Sequence, residues 1–360
     1  MPRVGYVYDP LYLEHELPGH PERPDRLRAI MSRLQDAGYI DAESPSPEHG
    51  RGARGEGSRL TRIQPRDATT HELRYVHTES LVEEVAATAG VDRHRFDADT
   101  YGSARSYEAA LRAAGGTLAA TEAVLRSEID SAFCFVRPPG HHATPDRAMG
   151  FCLFNNVAVA AALALEEPGI DRVAVIDIDV HHGNGTQDIF YDDPRVLYFS
   201  THQFPHYPGT GHWTETGSGD GDGTTINVPL PAGSGDDIYR RCYNEICAPA
   251  VRRFGPQLIF VSAGFDAHFA YPLAAILLSA RGYYEIATLI RGLADELCEG
   301  RLVYALEGGY DLTAIAWSAR ACVDTLLGNP FAEDPLGLGP QVPGPNIEPL
   351  LAEVERIHGL

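Results

Sequence analysis

The chain has 360 residues, 29 basic and 50 acidic side chains, and a formal net charge of −21. This length suits one large α/β domain, and the charge argues against nucleic acid as a partner, because a phosphate backbone is bound through basic patches. The N-terminus lacks the apolar core of a signal peptide and no apolar stretch reaches membrane-spanning length, so we expect a cytoplasmic protein with no membrane partner.

Strand-like and helix-like stretches alternate along the chain. Short β-branched apolar runs predict strands at residues 4–8, 131–136, 172–179, 196–200, 225–228, 258–262 and 302–306. Amphipathic or Ala-rich stretches predict helices at residues 24–37, 106–126, 155–166, 236–254, 280–298 and 311–327. The alternation predicts one α/β domain with a mostly parallel central sheet and helices on both faces.

Two segments are predicted to be irregular. Residues 43–59 are rich in Pro, Gly, Ser and Arg, which predicts a surface loop. Residues 328–345 are rich in Pro and Gly and lead to a short helix at 348–357. We therefore divide the chain into a main domain of residues 1–330 and a tail of residues 331–360, whose terminal helix is expected to pack on that domain.

One strand ends in an unusual way, with the sequence DIDVHH at residues 177–182. If the strand continues through this segment, alternation places Asp177, Asp179 and His181 on one face. Buried carboxylates are costly unless they are paired or bind a cation. Sites in α/β proteins also lie at the carboxyl ends of parallel strands. The segment therefore predicts a metal site, and His182, which would face the opposite way, is interpreted as structural.

Three other predicted strands end in polar residues. The carboxyl ends of parallel strands meet at one edge of a sheet, so these side chains are expected to converge on one site. The polar residues that follow the three strands are His141, His142, Asp266 and Tyr310.

The residue types assign chemistry to this convergence. Asp179, His181 and Asp266 supply two oxygens and one nitrogen and leave a coordination position open, the pattern of a catalytic zinc site with one ion per chain. The adjacent histidines suit general acid and base catalysis, because imidazole titrates near neutrality. Tyr310 follows a Gly-Gly turn and can donate its hydroxyl to an oxyanion. Together these groups predict hydrolysis of an amide or ester through a tetrahedral intermediate.

These motifs resemble the zinc-dependent histone deacetylase family of the arginase/deacetylase superfamily. The resemblance is carried by HPERPDR, VHT, RPPGHHA, GFCLFNN, DIDVHHGNGTQ, YPGTG, NVPLPAG, SAGFDAH and LEGGYD, which occur in that order between residues 20 and 311. The LEGGY and HHGNG spellings are similar to class II and bacterial deacetylases and amidohydrolases. The resemblance implies an arginase/deacetylase-like fold and a zinc-dependent amidohydrolase. Its substrate would be an acylated amine, with acyl-lysine as the first candidate.

Matching positions imply the roles of the site residues. The Asp-His-Asp set would hold zinc, and His142 would be the principal base and acid, with Asn184 fixing its tautomer. His141 would act as an electrostatic partner hydrogen-bonded to Asp177. Tyr310 would polarise the acyl carbonyl and stabilise its oxyanion.

The resemblance also implies further binding residues. The positions that match the substrate channel and its rim are Gly150, Phe151, Tyr207, Leu273 and Asp99. The positions that match two structural potassium sites are Asp177, Asp179, His181, Ser200 and Thr201 for the first, and Phe190, Asp193 and Val196 for the second.

Two positions depart from parts of the family. Asn184 stands where class I enzymes carry an acid, so His142 is expected to be less basic here. Tyr271 begins a Tyr-Pro-Leu sequence where the family commonly has Asp-Pro-Leu. Polyamine-selective members place an acid at the position of Leu273, which tilts the prediction away from acetylpolyamines, although Asp99 on the rim can substitute for that acid.

Three alternatives stay open. The first is an acetylpolyamine hydrolase or another small-molecule amide or ester hydrolase. The second is a dinuclear manganese ureohydrolase, which needs a second set of Asp and His ligands. The third is a non-catalytic acyl-group binding protein, which would be expected to have lost a ligand, the base or the tyrosine. The negative charge suits a basic substrate.

Overall fold

The structure is a computed structural model that describes residues 2–41, 59–340 and 342–360. The loop predicted at residues 43–59 lies outside these residues except for Arg59. The described strands are, in chain order, β1 (Val4–Val7), β2 (Thr61–Ile63), β3 (His94–Arg95), β4 (Tyr101–Gly102), β5 (Ser131–Cys134), β6 (Val173–Asp177), β7 (Val196–Gln203), β8 (Thr225–Leu230), β9 (Leu258–Ala263) and β10 (Leu302–Leu306).

Eight of these strands form one parallel sheet in the order β2-β1-β5-β10-β9-β6-β7-β8, while β3 and β4 form a small antiparallel ribbon. Every residue of β5, β6, β9 and β10 is buried. Strands that are buried on both faces require a helical layer on each side of the sheet. The predicted α/β architecture with a parallel central sheet is therefore confirmed.

Helices cover the sheet and connect its strands. They are α1 (Asp25–Asp36), α2 (Thr70–Leu73), α3 (Glu79–Ala86), α4 (Ser106–Leu125), α5 (Asn156–Leu165), α6 (Asn184–Phe190), α7 (Asp236–Arg241), α8 (Ala248–Phe254), α9 (Ala280–Leu297), α10 (Leu312–Leu327) and α11 (Glu348–His358). A π-helical segment joins α7 to α8, so the single helix predicted at residues 236–254 contains a π-bulge. None of the described helices is long and apolar enough to cross a membrane.

The C-terminal helix α11 packs against the rest of the fold. Leu351 and Val354 are buried and belong to the same hydrophobic cluster as the sheet residues. On the outside, Glu348 of α11 forms an ion pair with Arg241 of α7 at 2.7 Å. The tail helix thus continues the core with its apolar side and reaches α7 with its charged side.

The strand predicted at residues 172–179 is wrong at its end, because β6 stops at Asp177. Asp177 is the last residue in register with β7 and β9. Beyond it, carboxylate oxygens accept the backbone N–H groups: Asp179 N donates to Asp177 Oδ1, and Val180 N donates to Asp266 Oδ1. His181 N donates in turn to Asp179 Oδ1. The acidic side chains therefore shape a loop, and they do not alternate on a strand.

Candidate active site

The candidate site lies at one edge of the sheet, where four adjacent strands end. In the order β5-β10-β9-β6, these are the four strands that the sequence predicts to end in polar residues. Parallel neighbours end at the same edge, so the loops that follow them meet. The predicted convergence of the strand-end side chains is present in the structure.

Asp179, His181 and Asp266 come together as a candidate metal site. Their ligand atoms lie within 4.8 Å of one another, and both carboxylates are fully buried. His181 Nδ1 lies 3.0 Å from Asp179 Oδ1 and 3.2 Å from Asp266 Oδ2. Asp266 Oδ2 is buried and accepts no hydrogen bond from the described residues. A buried carboxylate oxygen without a donor is satisfied by a cation, so the group fits a metal ion.

The backbone beside the ligands also requires close packing. Gly308 N donates a hydrogen bond to Asp179 Oδ2 at 2.9 Å. A Cβ atom at Gly308 would lie 2.2 Å from Asp266 Oδ2 and 2.7 Å from Asp179 Oδ2. Only glycine therefore permits this approach of the β10 loop to both carboxylates.

The charges of the ligand cluster depend on one another. Burial alone would lower the pKa of His181, but the carboxylates of Asp266 and Asp179 outweigh it and raise that pKa to about 10. Burial raises the pKa of Asp266, and the neighbouring charge of Asp179 adds to the effect. Two buried carboxylates beside one imidazole thus favour a positive charge at this point, which a bound cation would supply.

The two adjacent histidines have different partners and different charges. His141 Nδ1 donates to Asp177 Oδ2 at 3.0 Å, and His142 Nδ1 donates to Asn184 Oδ1 at 2.8 Å. Burial alone would lower the pKa of His141, but the carboxylates of Asp177 and Asp179 raise it to about 10. Burial lowers the pKa of His142 well below its usual value, and the charge of His141 lowers it further. His142 is therefore a neutral imidazole with Nε2 left as a proton acceptor.

Sequence reasoning missed Glu307, whose carboxylate contacts the backbone at the start of the histidine pair. Glu307 Oε2 accepts the backbone N–H groups of Gly140 and His141 at 2.6 and 3.1 Å. The side chain is fully buried, and burial raises its pKa to about 7. The sequence signal was present, because an acid directly follows the apolar run of β10.

A buried ion cluster supports the other side of the site and was also missed. Glu22 pairs with Arg26 at 2.8 Å and with Arg137, and all three side chains are fully buried. Arg26 Nε also donates to the carbonyl of Gly309 at 2.6 Å, and its guanidinium lies 4.9 Å from the ring centroid of Tyr310. The cluster thus connects α1 and the loop after β5 to the turn that carries Tyr310.

A pocket of about 210 Å³ opens at this edge. All five positions predicted for the substrate channel and its rim line it, together with the histidine pair, His181 and Tyr310. Asp99, Tyr207 and Leu273 are exposed, and 37% of the surface of Tyr207 and 65% of that of Leu273 is accessible. Prediction did not include four further lining residues, which are Pro139, His206, Tyr271 and Gly308.

The first set of predicted potassium positions includes the metal-ligand candidates Asp179 and His181, and the second set lies at the start of β7. Ser200 faces Asp177 across the register of β6 and β7, and its Oγ is 2.9 Å from His202 Nδ1. The second set lies on the connection from α6 to β7, where turn hydrogen bonds link Phe190 to Asp193 and Asp193 to Val196. Both potassium sites stay predictions.

His182 and His268 make hydrogen bonds within the protein. His182 Nδ1 contacts Thr210 Oγ1 at 2.8 Å, and its Nε2 contacts Gln187 Oε1 at 3.0 Å. His268 Nδ1 accepts the N–H of Ala270 at 3.1 Å. These contacts agree with a structural role for each histidine. Within the described ranges, the Asp-His-Asp set is the one group of metal-ligating side chains close enough to hold an ion, which disfavours a dinuclear centre.

Comparisons with known proteins agree with this geometry. A sequence model of the histone deacetylase domain matches residues 20–326. A probable deacetylase of Archaeoglobus fulgidus is 42% identical over 313 residues, which cover 86% of this chain and 82% of the relative. Histone deacetylase 10, chloroplastic, of Oryza sativa subsp. japonica is 37% identical over 362 residues, which cover 96% and 79%. The crystal structure of the HDA15 HD domain matches with a TM-score of 0.87 at 36% identity, covering 99% of this chain and 96% of that one.

Proposed function

The chain belongs to the histone deacetylase family, and on this basis we propose that it is a zinc-dependent hydrolase that removes acetyl or other acyl groups from acyl-lysine. The observation that supports this proposal best is the joint presence of a metal-ligand set, a neutral buried imidazole and a tyrosine in one pocket. A non-catalytic binding protein would not need all three.

Asp179, His181 and Asp266 would hold the metal, and their two oxygens and one nitrogen fit zinc with an open position. When bound, zinc supplies a Lewis acid that lowers the pKa of a coordinated water and polarises the acyl carbonyl. The first proposed potassium site would add a cation near Asp177 and Asp179, and the second would lie at the start of β7.

The chain's own groups move the protons. His142 Nε2 accepts a proton from the attacking water, while Asn184 holds the opposite ring nitrogen in its protonated form. His142 then passes that proton to the leaving amine. The His141 imidazolium, paired with Asp177, keeps a positive charge next to the developing negative charge. Tyr310 donates its hydroxyl to the oxyanion that forms from the acyl carbonyl.

The pocket supports acyl-lysine as the substrate class. Phe151 and Tyr207 line it, and aromatic side chains pack well on an aliphatic stem. Leu273 at the rim offers no carboxylate to a second ammonium group. Acetylpolyamines are the second candidate, because the exposed Asp99 lines the same pocket and can pair with a distal ammonium.

A substrate panel with metal removal tests the proposal. Acetyl-lysine peptides, longer acyl-lysine peptides and acetylpolyamines are assayed before and after complete removal of metal, and again after addition of one equivalent of zinc. We expect turnover to be lost and restored, with acetyl-lysine peptides as the best substrates. Equal turnover by the metal-free protein would refute the mechanism, and higher kcat/KM for acetylpolyamines would move the substrate to the second candidate.

Tyr310→Phe tests the oxyanion donor. Loss of one such donor lowers kcat by about 100-fold or more, while the phenyl ring keeps the packing. The measurement is kcat and KM of the zinc-loaded variant, with its unfolding midpoint as the control for folding. Binding of acyl-lysine peptide without turnover by the unmodified, zinc-loaded chain would instead favour the non-catalytic alternative.

A further inference from the structure

Tyr271 is a pocket residue without a role in the mechanism above, and it stands where the family commonly has an aspartate. Its side chain lines the pocket wall and is 7% exposed. Its ring centroid lies 5.6 Å from that of Tyr310, with the two planes inclined by 44°. This is the contact distance of an aromatic pair.

We propose that Tyr271 is a positioning residue that packs on the ring of Tyr310 and holds its hydroxyl at the acyl carbonyl. The inference rests on the proposed function, because it assumes that Tyr310 donates to the oxyanion. Tyr271 itself does not touch the reacting atoms in this proposal.

Tyr310 needs support from its surroundings because the hydrogen bonds at Gly308 N and the Gly309 carbonyl fix the turn before it but not the rotamer of its side chain. It follows Gly308 and Gly309, and Gly309 has φ +113°, a region that favours glycine. A change of side-chain rotamer at Tyr310 would carry the hydroxyl out of the site. Contacts to the ring must therefore select the productive rotamer.

Among the described residues, Arg26, Phe151 and Tyr271 make aromatic or cation–π contacts with that ring, and the first two also have other roles. Arg26 also donates to the Gly309 carbonyl, so its removal would disturb the turn itself. Phe151 meets Tyr310 edge-on at 5.8 Å and is a predicted wall of the substrate channel. Tyr271 is the contact whose loss leaves both the turn and that channel wall in place.

The turn that carries Tyr271 is itself fixed. Tyr271 N donates to the carbonyl of His268 at 2.8 Å, and the side chain of His268 accepts the N–H of Ala270. Phe269 N donates to the carbonyl of Leu278 at 2.9 Å, which ties the turn to the following segment. These hydrogen bonds therefore fix the backbone from which the ring of Tyr271 projects.

The neutral ring also suits its surroundings. Burial raises the pKa of Tyr271, and the carboxylates of Asp266 and Asp179 raise it further, so the phenol stays uncharged at any working pH. An aspartate side chain here would place another acid near the metal ligands and could not pack on an aromatic ring.

The test is a double-mutant cycle between positions 271 and 310 with the zinc-loaded enzyme. We expect Tyr271→Ala to lower kcat by about three- to tenfold with little change in KM, and Tyr271→Phe to restore it, because the ring and not the hydroxyl is used. In a Tyr310→Phe background the alanine change should have no further effect on kcat, because the group that it positions is gone.

Two outcomes would overturn the inference: an unchanged kcat for Tyr271→Ala, or an equal loss of kcat in both backgrounds. Tyr271→Leu, which keeps buried apolar volume, serves if the alanine variant does not fold, and the same loss is expected for it. Failure of the proposed function is a separate result, because Tyr310→Phe alone would then turn over substrate like the parent, whatever residue occupies position 271.

Discussion

Asn184 is the hydrogen-bond partner of His142 and contributes to how basic that imidazole is. The amide oxygen fixes the imidazole tautomer at 2.8 Å but carries no charge, while burial and the nearby His141 and His181 hold the pKa of His142 low. A low pKa keeps the base unprotonated across the neutral range, at the cost of weaker proton affinity.

Asn184→Asp is expected to shift the acidic limb of the pH–rate profile to higher pH. A carboxylate beside His142 raises its pKa, and because the base must be unprotonated, activity is then lost at a higher pH as the solution is acidified. A shift of about one pH unit in kcat/KM is expected from a single adjacent charge. Asn227→Asp is the matched control, because this buried amide contacts Gln187 instead of the catalytic histidines. An acidic limb that stays in place would contradict the assignment of His142 as the base.

The element scale shows what local sequence can and cannot predict. Seven strands of the sheet begin and end within three residues of the predicted runs, because the sequence of a buried parallel strand is a continuous apolar segment. β2 was missed because Thr61 and Arg62 are exposed edge residues with no apolar pattern. α6 was missed because the Gly-Asn-Gly sequence at its start is typical of a turn.

The candidate site follows the same division. Its ligands and histidines were found because each follows a recognisable strand in the sequence. The placement of Asp179 and His181 was right for a wrong reason, since the loop and not strand alternation brings them together. Contacts such as the pair of Glu22 with Arg137, which are 115 residues apart, leave no local pattern and emerge only from the folded chain.

The buried ion cluster joins elements that are distant in the chain, and it predicts how stability depends on pH. Burial alone would raise the pKa of Glu22, but Arg137 and Arg26 outweigh it and lower that pKa to about 2. As the pH falls, the Glu22 carboxylate thus takes up its proton at a lower pH in the folded state than in the unfolded state, whose glutamates titrate near pH 4.3. The contribution of Glu22 to stability is present above about pH 4.3 and is lost as the pH falls toward 2.

Glu22→Gln is expected to lower the free energy of unfolding at pH 7 by about 3–5 kcal/mol, because it leaves a buried guanidinium without its counter-charge. The difference from the parent should shrink as the pH is lowered toward 3. Urea denaturation followed by tryptophan fluorescence measures both effects. Glu84→Gln, at an exposed position of α3, is the control and should change neither quantity. A difference that is constant with pH would show that the ion pairs are not its source.

At the scale of the whole molecule, the excess of acidic groups is expected to increase the rate at which a basic substrate reaches the pocket. A net charge of −21 gives the surface a negative potential that attracts cationic peptides, and salt screens that attraction. Asp99 lies at the pocket mouth, where its charge is added to the general field. A basic acyl-lysine peptide should therefore be captured faster than a neutral one of the same length.

The expected result is that kcat/KM for an arginine-flanked acetyl-lysine peptide falls several-fold between about 0.02 and about 0.5 M sodium chloride, while a glycine-flanked peptide changes little. Potassium is held constant, so that any occupancy of the predicted potassium sites does not vary. Asp99→Asn separates the local charge from the general one, because only the local contribution is removed. If the variant keeps the full salt dependence, the whole surface provides the attraction. Equal salt dependence for the two peptides would show that charge does not guide the substrate to this pocket.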